Sequence, residues 1–110
     1  MTEQNLPDPI QRFIATTNGG DSTGFVSTFA EDAVLDDWGR VFTGQDGVTR
    51  WNTTDNIGVG SHFELVDVVA AEHPDTYVVT LRVTGGGYNG TGPMTFTLDG
   101  DRIARLVIAP

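Results

Sequence analysis

The chain has 110 residues and no cysteine, a length that suits one domain and a composition that excludes disulfides and thiolate metal sites. Fifteen acids against six arginines and no lysine leave a net charge of −9, which repels phosphate backbones and removes nucleic acid from the expected partners. No run approaches the roughly 18 apolar residues of a membrane span, and the opening MTEQNLPDPI has neither the basic nor the apolar region of a signal peptide, so a cytoplasmic protein is the expectation.

The first element is a helix. Asp8 and Pro9 read as its cap and first turn, and Ile10, Phe13, Ile14 and Thr17 share one face at helical spacing. Asn18-Gly19-Gly20 ends it. Asp21 can cap a short second helix whose buried stripe is Phe25, Val26 and Phe29. Residues 33–37 then read as a strand, Gly39-Arg40 as a turn, and Val41-Phe42 as the returning arm of a small hairpin. Thr43 can cap a third helix that carries Val48 and Trp51 and ends near Asn56-Ile57-Gly58.

After Gly60 the apolar period changes from 3.6 to 2. SHFELVDVVAAE, TYVVTLRVT, PMTFTLDG and DRIARLVIAP read as four long strands, with a turn at His73-Pro74-Asp75 and a last hairpin about Asp99-Gly100. GGGYNGTG reads as a mobile connection. Its Gly85 to Gly90 match G-x-G-x-x-G, but no helix follows, so the dinucleotide reading fails. Helices first and antiparallel strands after give an α+β layout in a single domain, residues 1–110. Several strands are apolar on both faces, which predicts helices on one side of the sheet and a second copy of the chain on the other.

The stretches IQRFIATTNGGD and FVSTFAEDAVLDDWGRVFTGQDGVTRW, with FTLDGDRIARLVI near the end, resemble the nuclear-transport-factor-2-like superfamily. The likeness is strongest to its small SnoaL-like and ketosteroid-isomerase-like members. The resemblance implies a cystatin-like conical barrel, in which a strongly curved antiparallel sheet is closed on its concave face by three helices around a deep apolar pocket. It also implies a homodimer. One fold of this kind hosts many activities.

In the ketosteroid isomerases a general-base Asp follows an apolar strand, and Asp37 stands at the matching position. Strand alternation puts Leu35 and Asp37 on one face and Asp36 on the other, and the resemblance makes the Asp37 face the inner one. Enclosure against Trp38 or Trp51 would strip water from the carboxylate and disfavour its charge, a setting for acid or base work. The isomerase oxyanion hole is missing: its first-helix Tyr is replaced by Phe13, and its protonated Asp by Met94. Each lost donor typically removes about 3–4 kcal/mol of transition-state stabilisation.

The expected site is therefore Asp37 as the catalytic acid or base, with Phe13, Trp38, Trp51, Phe63, Tyr88 and Met94 as substrate-binding walls. His62 and Glu64 share a strand face, but two histidines in the whole chain are too few for a catalytic metal site. Neither a metal nor another cofactor is expected. The expected ligand is a small lipophilic molecule. The function is either cofactor-free acid/base catalysis by an isomerase, cyclase or hydrolase, or non-catalytic ligand binding or dimerisation.

Overall fold

The computed structural model describes residues 6–109; the part of the leader reading that concerns residues 1–5 lies outside them. Helix α1 (Asp8–Gly19) has Pro7 rather than Asp8 at its cap position, and Asp8 instead places its carboxylate in the first turn, where the helix dipole favours it. The helix stops at Gly20, whose left-handed φ of 69° turns its N–H back onto the carbonyls of Thr16 and Thr17. Asp21 caps α2 (Ser22–Ser27) by accepting from the Gly24 N–H at 2.9 Å.

Phe29, expected on the second helix, opens strand β1 (Phe29–Asp37). It pairs there with Ile103, whose N–H bonds the Thr28 carbonyl at 2.9 Å, so tertiary pairing overrides the helical spacing. Strand β2 (Arg40–Thr43) follows, then α3 (Gly44–Asp55), a single 3-10 turn at Ile57–Val59, and strands β3 (His62–Ala70), β4 (Thr76–Thr84), β5 (Gly90–Asp99) and β6 (Arg102–Ile108). Thr43 holds the cap position of α3, but its side chain makes no capping bond.

The six strands form one open sheet in the order β2-β1-β6-β5-β4-β3. The long strands β3 to β6 are antiparallel, as the sequence predicts, and so is the β1–β2 hairpin. The hairpin joins them through a parallel pairing of β1 with β6, so the sheet is mixed. Register shifts at Phe29/Val34, Leu65/Asp67 and Thr97/Leu98 mark bulges, which bend and coil a sheet. The three helices pack against one face, giving the expected curved α+β cone.

Phe13 is the centre of the core. Its ring lies 5.3 Å from that of Phe25, 5.0 Å from Phe96 and 5.2 Å from Phe63, against which it is stacked. Asn18 ties α1 to the sheet, accepting from the Phe63 N–H at 2.7 Å and donating to its carbonyl at 2.9 Å. The outer face presents a transverse row set by register: Val69, Val78, Thr95, Val107, Asp36 and Val41. Among the described residues no helix is long and apolar enough to cross a membrane.

The triglycine before Tyr88 is not a loose connection. A β-carbon on Gly85 would lie 2.6 Å from the Gly60 carbonyl oxygen, and one on Gly86 2.8 Å from that of Val59. The Gly86 N–H bonds the same Val59 oxygen at 2.8 Å, and the Asn89 carboxamide closes the loop onto Gly85 and Gly87. The glycines let two backbones touch. Gly86→Ala therefore destabilises the protein by about 1–3 kcal/mol in urea denaturation, as overpacking does. A flexible connector would instead gain roughly 0.4–1 kcal/mol from the stiffer unfolded chain.

Candidate functional site

The end of β1 is the foundation of the site. Leu35 is fully buried, and two residues on Asp37 keeps the same face, while Asp36 alternates away and accepts from the Gly39 N–H at 2.8 Å. Asp37 is paired with Ile108 of β6 on one side and Arg40 of β2 on the other. Helix α3 crosses over this corner. Its Trp51 is buried, and the indole Nε1–H donates to Asp37 Oδ2 at 2.9 Å.

The same oxygen receives the Arg40 guanidinium at 2.6 Å, and Arg40 reaches on to Asp55 Oδ1 at 3.1 Å. Asp55 lies one helical turn beyond Trp51, and the Thr54 hydroxyl donates to its Oδ2 at 2.6 Å. Arg40 thus bridges two carboxylates. The hydrogen bond that Arg40 donates to Asp55, then that to Asp37, raises the guanidinium above its ordinary value, so it is a fixed cation. Arg40 is 54% exposed, whereas the Asp37 side chain is only 15% exposed. The ion pair closes the solvent side of a mostly enclosed acid. The indole N–H and the guanidinium both donate to this one oxygen. Beside the enclosure against Trp51 that the sequence leads one to expect, the carboxylate therefore carries an ion pair.

These groups line a cavity of about 440 Å³. The structure brings together Asp37, Trp38, Trp51, Phe63, Tyr88 and Met94 in its wall, with Val83, Pro93 and Ile108 between them. Phe13 is not in the lining. It sits one ring deeper, stacked behind Phe63 at an interplanar angle of 9°, because α1 aims it into the helix–sheet interface. As an expected wall residue it is corrected to a core residue that backs the wall. His62 and Glu64 also stay apart from the cavity, and Glu64 is taken up by Arg82 at 2.5 Å.

The sequence reading missed Arg40, Asp55, Asn56 and Ser61, all of which line the cavity. Two signals were present. A two-residue turn at Trp38-Gly39 forces Arg40 opposite Asp37, and the i,i+4 spacing of Trp51 and Asp55 puts both on one helix face. Asn56 is buried, donates from Nδ2 to Thr17 Oγ1 at 3.0 Å and to Asn52 Oδ1 at 3.1 Å, and leaves its Oδ1 without a partner among the described residues. No local pattern announces that role.

Residues 10–106 match the family model for a SnoaL-like domain. No curated protein matches the chain. Among solved structures, a Sinorhizobium meliloti protein suggested to be a polyketide cyclase is 27% identical, with a TM-score of 0.84 over 97% of this chain and 98% of that one. A Mycobacterium tuberculosis protein in complex with estradiol-17β-hemisuccinate is 16% identical, with a TM-score of 0.79 over 90% of this chain and 88% of that one. A ketosteroid isomerase from a Mycobacterium species is 18% identical, with a TM-score of 0.77 over 90% of this chain and 87% of that one. At these last two identities the likeness is one of fold.

The indole–carboxylate bond is testable by itself. In a double-mutant cycle of Trp51→Phe and Asp37→Asn, followed by urea denaturation, the two changes couple by roughly 0.5–3 kcal/mol, as groups in one hydrogen-bonded network do. Additivity within about 0.5 kcal/mol would mean that the bond does not hold the site together.

Proposed function

Because this chain belongs to the SnoaL-like domain family, we propose that its cavity binds a small lipophilic molecule and that Asp37 is the acid/base group of a cofactor-free reaction on it. The observation that carries the reading is the Asp37 carboxylate set into a cavity wall among Trp51, Phe63, Val83, Met94 and Ile108, with Arg40 and Asp55 beside it. An apolar cleft with a few convergent polar groups is the usual form of a small-molecule site. The estradiol derivative held by the Mycobacterium tuberculosis protein, and the cyclase activity suggested for the Sinorhizobium meliloti one, support a lipophilic substrate.

The chemistry that suits one carboxylate is proton removal next to a carbonyl, the step shared by isomerisation and by aldol-type cyclisation. Asp37 Oδ2 accepts the proton once the half-exposed Arg40 swings from it to Asp55, which already holds the guanidinium. Phe13 and Met94 offer the forming enolate no donor, so a ketosteroid isomerase mechanism with paired side-chain donors is not part of the proposal. Arg40 is the positive group within reach of the developing charge.

A second, non-catalytic reading rests on the same corner. Trp51 and Arg40 both occupy Asp37 Oδ2, as they would in a structural anchor that ties α3 to the β1–β2 hairpin. In either reading the protein is a cytoplasmic homodimer. The dimer uses the outer sheet face, where the row from Val69 to Val41 is β-branched except at Asp36 and exposes Val69 and Val41. Burying such a row in a partner removes an apolar patch that monomers rarely show.

Deuterium exchange at the α-carbon of β-tetralone, followed by NMR, separates the two readings. The wild type accelerates exchange over buffer by roughly 10²–10⁴, the usual range of general-base catalysis. Asp37→Asn loses the acceleration and keeps the binding seen by calorimetry. Exchange no faster than in buffer, with binding intact, would establish the non-catalytic reading. Light scattering at micromolar concentration gives twice the 11.8 kDa chain mass, and a clean monomer mass would remove the dimer from the proposal.

A further inference from the structure

The connection between β1 and β2 is a two-residue turn, Trp38-Gly39, closed by the pairing of Asp37 with Arg40. Its φ angles are 55° at Trp38 and 90° at Gly39. Two positive φ values in a row make the hairpin turn that fits the sheet twist, and its first position ordinarily holds Asn, Asp or Gly. A bulky side chain there crowds the following carbonyl. The other non-glycine residue with positive φ among those described is Asp75, a type that tolerates it.

Nothing in the turn needs an indole. The Trp38 N–H bonds the Ile108 carbonyl at 2.9 Å, which any residue but proline can do, and the Gly39 N–H is capped by Asp36. The side chain is 58% exposed and gains little from burial. What it does touch is the cavity. Tyr88, 56% exposed, touches the same cavity from the β4–β5 loop, its hydroxyl end lying over Gly90. The strand order sets β6 between the hairpin and β5, the strand that this loop enters, so the two rings reach the cavity from different connections of the sheet.

We infer that Trp38 is a specificity-determining residue: held in a strained backbone at the cavity wall that it shares with Tyr88, its indole selects ligands with a flat, unsaturated ring system over saturated ones of equal size. The inference rests on the reading of the cavity as a lipophilic site and adds the class of ligand. A flat ring stacks on an indole face with a gain beyond area burial, which a puckered saturated ring of the same size does not collect. The strained backbone is kept because no residue that relaxes the turn supplies that face.

The test pairs thermal unfolding with calorimetric binding of β-naphthol and of decahydro-β-naphthol, its saturated counterpart. Trp38→Asn raises the unfolding midpoint, because the turn relaxes. It weakens β-naphthol binding by roughly three- to tenfold, the range of one aromatic stacking contact, and leaves decahydro-β-naphthol nearly unchanged. Trp38→Phe keeps most of the preference, and Trp38→Gly repeats the Asn result.

Five outcomes overturn the inference. A lower midpoint for both Trp38→Asn and Trp38→Gly makes the indole structural. An unchanged ratio of the two affinities, or a loss of solution mass in the variants, means that it does not read the ligand. Wild-type protein that binds both probes equally defeats this inference alone, whereas wild-type protein that binds neither defeats the lipophilic-site reading, and the inference falls with it.

Discussion

The parallel pairing of β1 with β6 is the constraint on which the site depends. It sets Asp37 beside Ile108, and Ile108 beside Met94 across the next antiparallel ladder, so a residue from the first third of the chain shares a wall with residues from the last fifth. The two-residue turn then returns Arg40 to Asp37, and α3 lies over the corner with Trp51 bonded to the same carboxylate. Without that pairing the β1–β2 hairpin would have no sheet to extend, and Asp37 would be an ordinary surface acid. A long-range backbone ladder thus sets this acid in the cavity wall.

Behind the wall the fold divides its tasks. The rings of Phe13, Phe25, Phe29, Phe63 and Phe96 make a close aromatic core that fixes α1 and α2 on the sheet. Asn18 holds β3 to α1 through both of its carboxamide atoms. The aromatic layer ends at Phe63, whose one face stacks on Phe13 and which also borders the cavity. Polar groups at the site are mostly tied to one another: Arg40 to two acids, Thr54 to Asp55, and Asn52 to Asn56. Cores rearrange only at a cost, so a cavity backed this way keeps its shape.

Much of the fold was legible because its signals are local. TYVVTLRVT is the strand Thr76–Thr84 that its alternation predicts, and the change of period after Gly60 marks the passage from helices to the long strands. The inward direction of Asp37 followed from alternation with Leu35 once the resemblance fixed the inner face. The parallel ladder was not legible, because pairing between distant strands leaves no mark in either one. Phe13 looked like a wall because helical spacing gives a face but not a depth. The triglycine looked loose because composition cannot show that Val59 and Gly60 press against it. Arg40 and Asp55 are readable from turn length and helix spacing, but placing the turn at Gly39-Arg40 rather than Trp38-Gly39 hides the pairing of Arg40 with Asp37.

In the proposed function a lipophilic molecule lodges between the Asp37 corner and the β5–β6 wall, with Met94 as its neighbour. The chain has two methionines, Met1 and Met94, so selective ¹³C-methyl labelling gives a spectrum with one informative signal from the cavity wall. On titration with β-naphthol the Met94 methyl resonance shifts to saturation and shows nuclear Overhauser contacts to the probe. A Met94 signal that stays fixed while the probe contacts the outer-face valines Val69 and Val78, or contacts nothing, would contradict the account.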